Sequence, residues 1–170
     1  MKTPWLLTGL MVALLSQNCL ALEKCASSIG NVILRHVTIG CMNINGSADM
    51  AGTTFKGDLL LTGPLKASGT SFQGINVTGS VDLQNARVAG ETFIIGGLDA
   101  TTTTFQKKLT INANKIQLVT STTQDIVIET GSPSTLTLTN CTVNGNVTFR
   151  NGNGTVTNNN SKISGKILQE

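Results

Sequence analysis

A motif of about 17 residues recurs along most of this 170-residue chain. Each copy opens on a large or β-branched residue and continues with alternating apolar positions. The openings are Thr38, Phe55, Phe72, Val88, Phe105, Thr122, Val143 and Ile163, spaced by 17, 17, 16, 17, 17, 21 and 20 residues. Six of the eight copies carry glycine two positions after the opening, and Lys107 and Gln124 stand there in the other two. A fixed period of this kind marks a solenoid. One unit cannot bury its apolar face alone, and stacking on its neighbours completes the core.

Within a copy the apolar residues follow a period of two, as a strand with one inward face requires. Phe55, Leu59 and Leu61 share parity, as do Phe105, Leu109 and Ile111. The third and fourth copies read as slipped by one residue, with Val77, Phe93 and Ile95 taking the apolar positions, which suggests a bulge. A second apolar cluster follows in the copies: Leu65, then Val81 and Leu83, Leu98, Ile116 and Leu118, Leu136 and Leu138. No long 3.6-residue period with helix caps occurs after the N-terminal segment, and the β-branched content opposes one. The prediction is an all-β chain, a single-stranded parallel β-helix of about eight coils with a period of 17 to 20 residues over 38–170. A β-sandwich also has short strands at regular spacing, but it does not need the same residue types at the same position of every copy. Gly is expected at corners, for positive φ or close backbone approach.

The N-terminal segment reads as a cleavable signal peptide over residues 1–21. It has Lys2, an apolar run from Trp5 to Leu15, and Cys19-Leu20-Ala21 with small residues at the cleavage positions. The apolar run is too short to span a bilayer, which takes about 20 residues. The expectation is an exported protein, periplasmic or at the cell surface, from a bacterium, with no membrane span after cleavage. Residues 22–37 are less regular and are expected to cap the solenoid with a short helix or a first strand. Export permits disulfides. Cys25 and Cys41 lie close enough in sequence to fasten the start of the stack, and Cys141 is expected to be buried as a small hydrophobe.

Composition excludes several function classes. Net charge is only +3 and the basic residues are scattered, so the clustered basic face of a nucleic-acid binder is missing. There is no Tyr, and the only Trp, Trp5, lies in the expected signal. The mature chain therefore lacks stacking platforms for bases or sugars. His36 is the only histidine and no Cys-x-x-Cys occurs, so neither a Cys/His zinc site nor a Ser-His-Asp triad with its elbow is written here. No phosphate-cradling glycine loop opens a helix. No cofactor, metal or catalytic residue is expected.

The carboxylates are dispersed. Asp82 and Asp99 stand one coil apart and would lie about 5 Å from each other on the outside; a solvated pair is the ordinary reading, and a polysaccharide-cleaving pair the sharper one. Asp58 has no matching acid in the next copy. Thr54, Ser71 and Thr104 precede three openings, a ladder broken at Arg87 that is read as ending at Thr104. Such a ladder orders water in some ice-binding proteins, though Thr is simply a good strand residue. Six Asn-x-Ser/Thr triplets begin at Asn45, Asn76, Asn140, Asn146, Asn153 and Asn159. An Asn-rich and Thr-rich chain yields such triplets by chance.

The stretches Phe55-Lys-Gly57-Asp-Leu59, Val143-Asn-Gly145-Asn-Val147 and Ile163-Ser-Gly165-Lys-Ile167 resemble the coils of bactofilins, polymer-forming bacterial β-helix proteins. The resemblance is one of pattern and covers residues 38 to 170. It implies non-enzymatic, end-to-end assembly without a nucleotide. Bactofilins are generally cytoplasmic, whereas this chain is expected to be exported, so the architecture and the end contact transfer and a cytoskeletal role does not. The functional expectation is an exported, non-enzymatic structural or surface-interaction protein. It would form a homo-oligomer or filament, or bind a cell-envelope partner. The last coil, around Ile163, Ile167 and Leu168, offers the natural self-association edge. The alternative is a carbohydrate-binding or polysaccharide-degrading β-helix.

Overall fold

The computed structural model describes residues 25–150 and 154–170. The expected signal peptide lies outside the described residues. All regular structure among them is strand, arranged in three parallel sheets of nine, eight and eight strands. The chain visits the sheets in strict rotation. Ala26–Ile29 lies on the first face, Val32–Arg35 on the second and Thr38–Ile39 on the third, before Met42–Asn45 returns to the first. Eight coils follow one another in this way, and Ile167–Gln169 begins a ninth. The product is a three-faced parallel β-solenoid. At ~4.8 Å per coil, eight coils make a stack roughly 38 Å long.

The register shows why the repeat is legible. On the first face Met42, Leu59, Ile75, Thr92, Leu109, Ile126, Val147 and Ile167 form one inward column, each the partner of the next. On the second face Val32, Ala48, Leu65, Val81, Leu98, Ile116, Leu136 and Val156 do the same. Most of these side chains are fully buried. Burying one Leu, Ile or Phe contributes roughly 1.5–3 kcal/mol. Each coil supplies several, so the core is a continuous rod with no single centre.

The segment before Thr38 carries two strands that pair in parallel with the second coil, Ala26 beside Met42 and Val32 beside Ala48. A disulfide joins Cys25 to Cys41, with Cα atoms 4.7 Å apart, and ties the first coil to the second.

Register corrects the sequence reading at four points. Thr38 pairs with Thr54 and Ile39 with Phe55, so the first inward opening is Ile39. Thr122 likewise pairs with Thr104, and Thr123 is the buried residue of its coil. Only the third of the two copies read as slipped has lost a residue at its corner. In the fourth, Ile75 pairs with Thr92 and Val77 with Ile94, which turns Phe93 and Ile95 outward. The hydrogen-bond ladder fixes parity here, and a buried threonine hid it from the hydrophobic pattern. The threonine ladder also continues past Thr104, through Thr122 and Thr142, and ends at Lys162.

The corners differ in kind. Between the second and third faces, eight successive coils turn through one left-handed residue: His36, Gly52, Gly69, Asn85, Thr102, Thr120, Asn140 and Asn160. Asn and Gly suit that conformation, which costs other residues ~1–2 kcal/mol. The next residue is small and mostly buried. Thr53, Thr70, Thr103, Ser121 and Cys141 each donate from the side chain to the carbonyl two residues back, at 3.3, 3.2, 3.1, 2.8 and 3.3 Å. Cys141 is thus a buried free thiol within a column of hydroxyls.

Between the first and second faces stand Gly30, Gly46, Gly63, Gly79 and Gly96, all with positive φ. A Cβ on Gly63 would collide with the carbonyl oxygen of Gly46, and the same holds up the column. This is the glycine column that the fold requires most. The glycines of the repeat motif, such as Gly74 and Gly145, have ordinary φ. They instead leave room for Asp58 and Asp125 of the preceding coil.

Candidate functional site

The outward residues of the second face form columns with the coil spacing. One column runs Ile33, Asp49, Lys66, Asp82, Asp99, Gln117, Thr137, Thr157. Asp82 and Asp99 are direct register partners on neighbouring coils, which places their backbones ~4.8 Å apart. The sequence reading paired these two. It missed that Asp49 and Lys66 continue the same column, although spacings of 17, 16 and 17 residues from Asp49 to Asp99 display it. A shallow groove of about 670 Å³ runs along this face, lined by Asp49, Lys66, Asp82, Asp99 and Lys115, with Ile33 at one end.

The electrostatics of the column are mixed. Arg35 holds Asp49 at 3.0 Å, and its guanidinium also donates to the Asp49 carbonyl at 2.9 Å. The hydrogen bond from Arg35 to the carboxylate, with the attraction of Arg35 and Lys66, keeps the Asp49 carboxyl below its ordinary range. Gln84 donates to Asp82 across 3.5 Å. In the column the Asp82 and Asp99 pair stands between Lys66 and Gln117, with Lys115 also lining the groove, a strip that suits a ligand carrying both donors and acceptors.

Two other acids have structural work. Asp125 accepts the backbone N–H of Asn146 at 2.8 Å, and Asn146 in turn accepts that of Lys166 at 2.8 Å. Glu129 pairs with Arg150 at 2.7 Å. His36 occupies a left-handed corner rather than a cleft. Among the described residues, no three His, Cys, Asp or Glu side chains converge as a metal site. No helix among them is long and apolar enough to cross a membrane.

The second candidate site is the last coil. Gly154–Asn159, Lys162–Ile163 and Ile167–Gln169 are terminal strands of their sheets among the described residues. Ile163 pairs with Val143 and Ile167 with Val147, so both stand in inward columns. Ile167 is nonetheless 50% exposed, where Val147 is fully buried. Leu168 pairs with Thr148 and belongs to the outer surface of the first face. The three residues grouped from sequence therefore divide, two in inward columns of the last coil and one on a side. Val156 is the further apolar residue at this end. Asn158 and Gln169 also occupy inward positions there, under Leu138 and Phe149.

The chain matches no protein-family model, no curated protein and no solved structure.

Proposed function

We propose that this is an exported, non-enzymatic structural protein whose copies stack end to end. It would work in the periplasm or at the cell surface, where the resulting rod would meet an envelope partner. The observation that carries the reading is Ile167, an inward-column residue that is half exposed in the last coil described. Among the described residues, the first coil presents three parallel strand edges at the other end of the stack, with Leu34 and Ile39 only partly buried. Two such ends share one cross-section and one strand direction. A head-to-tail contact would continue all three ladders. Such a contact is heterologous and does not close, so it generates rods or filaments. The bactofilin resemblance implies the same mode of assembly. Sedimentation and electron microscopy of the mature protein test the reading. Concentration-dependent rods are expected, abolished by Ile167→Lys. A monomer at every concentration refutes it.

A second reading rests on a separate observation. Asp82 and Asp99 are register partners on neighbouring coils and share a groove, and glycoside hydrolysis uses a pair of carboxyls flanking the scissile bond. A carbohydrate-active protein would bind or cleave an oligosaccharide along this face and would lose that with Asp82→Ala or Asp99→Ala. Screening acidic and neutral polysaccharides separates the two readings.

A further inference from the structure

In the body of the solenoid, backbone groups facing the next coil are bonded to it. Gly30, Gly46, Gly63, Gly79 and Gly96 each donate their N–H to a carbonyl of the following coil. Gly154 stands at the same position, two residues before an inward column residue, here Val156. Its N–H instead donates to Gln169 Oε1 at 3.1 Å, and its carbonyl accepts from Gln169 Nε2 at 2.8 Å. One carboxamide takes both groups, in the way that a peptide unit of a neighbouring strand would.

The same substitution occurs at the other end of that strand. Ser121 and Cys141 each donate their N–H to the side chain of the equivalent residue in the next coil, Cys141 and Ser161, at 3.4 and 2.8 Å. Their carbonyls accept from Thr142 and Lys162 of the next coil. Ser161 is the next member of that column. Its N–H donates to Asn158 Oδ1 at 2.8 Å and its carbonyl accepts from Asn158 Nδ2 at 3.1 Å. Asn158 and Gln169 both occupy inward positions that earlier coils fill with Leu138 and Phe149. Two core positions have become carboxamides, and each one closes the backbone groups beside it.

We propose that Asn158 and Gln169 form a displaceable cap on the growing end, so that another copy adds by replacing these two carboxamides with the backbone of its own first coil. The inference rests on the end-to-end reading above and assigns its regulation. Stacking must break the four hydrogen bonds of the cap before it forms ladder bonds. The cap therefore lowers the affinity of the end and holds stray strands off it, while Ile163 and Ile167 supply the apolar contact once a matching coil arrives.

The test compares the full mature chain with Asn158→Leu, Gln169→Leu and the double variant. Association is read by sedimentation velocity, and exchange at the Gly154 and Ser161 amides by hydrogen–deuterium exchange at monomer concentration. The double variant should associate at a concentration at least ten-fold lower than the parent, and the two amides should lose at least ten-fold protection. If leucine prevents folding, Gln169→Met and Asn158→Ala read the same shifts. Variants that associate no more readily than a parent that does associate overturn the cap and leave the stacking reading standing. Absence of association in every protein overturns both. Association that survives Ile167→Lys in the double variant places the contact elsewhere and overturns both as well. Parent amides that exchange as fast as exposed ones overturn the cap alone.

Discussion

Phe55 and Phe72 stack with ring centroids 5.3 Å apart and planes 19° from parallel, one coil above the other. Val88 follows Phe72 in the same column and Phe105 follows Val88. All four are buried. Phe72→Ala removes the ring in the middle of this column and should cost about 3–5 kcal/mol. Phe72→Leu keeps most of the volume and should cost less than half as much. Urea denaturation with unchanged slope measures both.

Two hydroxyls run against the core. Among the described residues, Thr92 Oγ1 and Thr123 Oγ1 are buried without a hydrogen-bond partner. Thr92 stands in the column of Ile75 and Leu109, and Thr123 in that of Val143. Replacing either by Val keeps the shape and removes an unsatisfied polar group, so each should stabilise by about 1 kcal/mol. Thermal melting of Thr92→Val and Thr123→Val reads this. A loss of stability would mean that these hydroxyls are bonded in solution.

The glycines can be ranked. Gly63→Ala meets the Gly46 carbonyl with no side chain to yield, and should cost more than ~2 kcal/mol. Gly97 faces open space at ordinary φ, so Gly97→Ala should change stability by no more than about 0.5 kcal/mol. Gly69→Asn should also be mild, because Asn85 already turns the same corner one coil on.

Reduction should act locally. The Cys25–Cys41 bond spans 16 residues, and closing a loop of this size contributes about 2–4 kcal/mol where the chain unfolds as one unit. In a stack each coil contacts mainly its neighbours. Reduction should therefore free the amides of the first coil, Ala26 to Ile39, while the middle coils keep their protection. Hydrogen exchange with and without reductant distinguishes this from global loss.

The Asp49 carboxyl is held below its ordinary value of 3.8 by its hydrogen bond to Arg35. The unfolded chain takes up that proton first as pH falls. The stabilisation is complete above about pH 4 and is lost as pH drops through the folded value. The pair is about half exposed, so Asp49→Asn should cost only a few tenths of a kcal/mol at pH 7. The difference from the parent should shrink as pH falls below about 4.

The period, the parallel stack and the core columns were legible because one inward residue recurs every coil, as Leu59, Leu109 and Val147 do. Legibility failed where chemistry and parity disagreed. Thr92 and Thr123 are polar residues in inward columns, while Phe93 and Ile95 are apolar residues outside, so the pattern pointed to the wrong partner. The corner glycines from Gly30 to Gly96 were overlooked because the repeat was aligned on a different glycine. Of the candidate sites, Asp82 and Asp99 could be read from spacing alone. The cap could not, because Asn158 and Gln169 acquire meaning only through the backbone groups they reach.

Six residues separate Val32 from Thr38 on the first coil, and six separate Val156 from Lys162 on the eighth. The edge between the second and third faces has one length throughout. Between the first and second faces, by contrast, Val81 follows Val77 closely while Leu136 follows Ile128 across Thr130-Gly131-Ser132-Pro133. Extra length is thus tolerated along one side of the prism without disturbing the pitch of its neighbours. A foreign peptide spliced at Gly131, where a side chain meets open space, would project from that side on an unaltered scaffold.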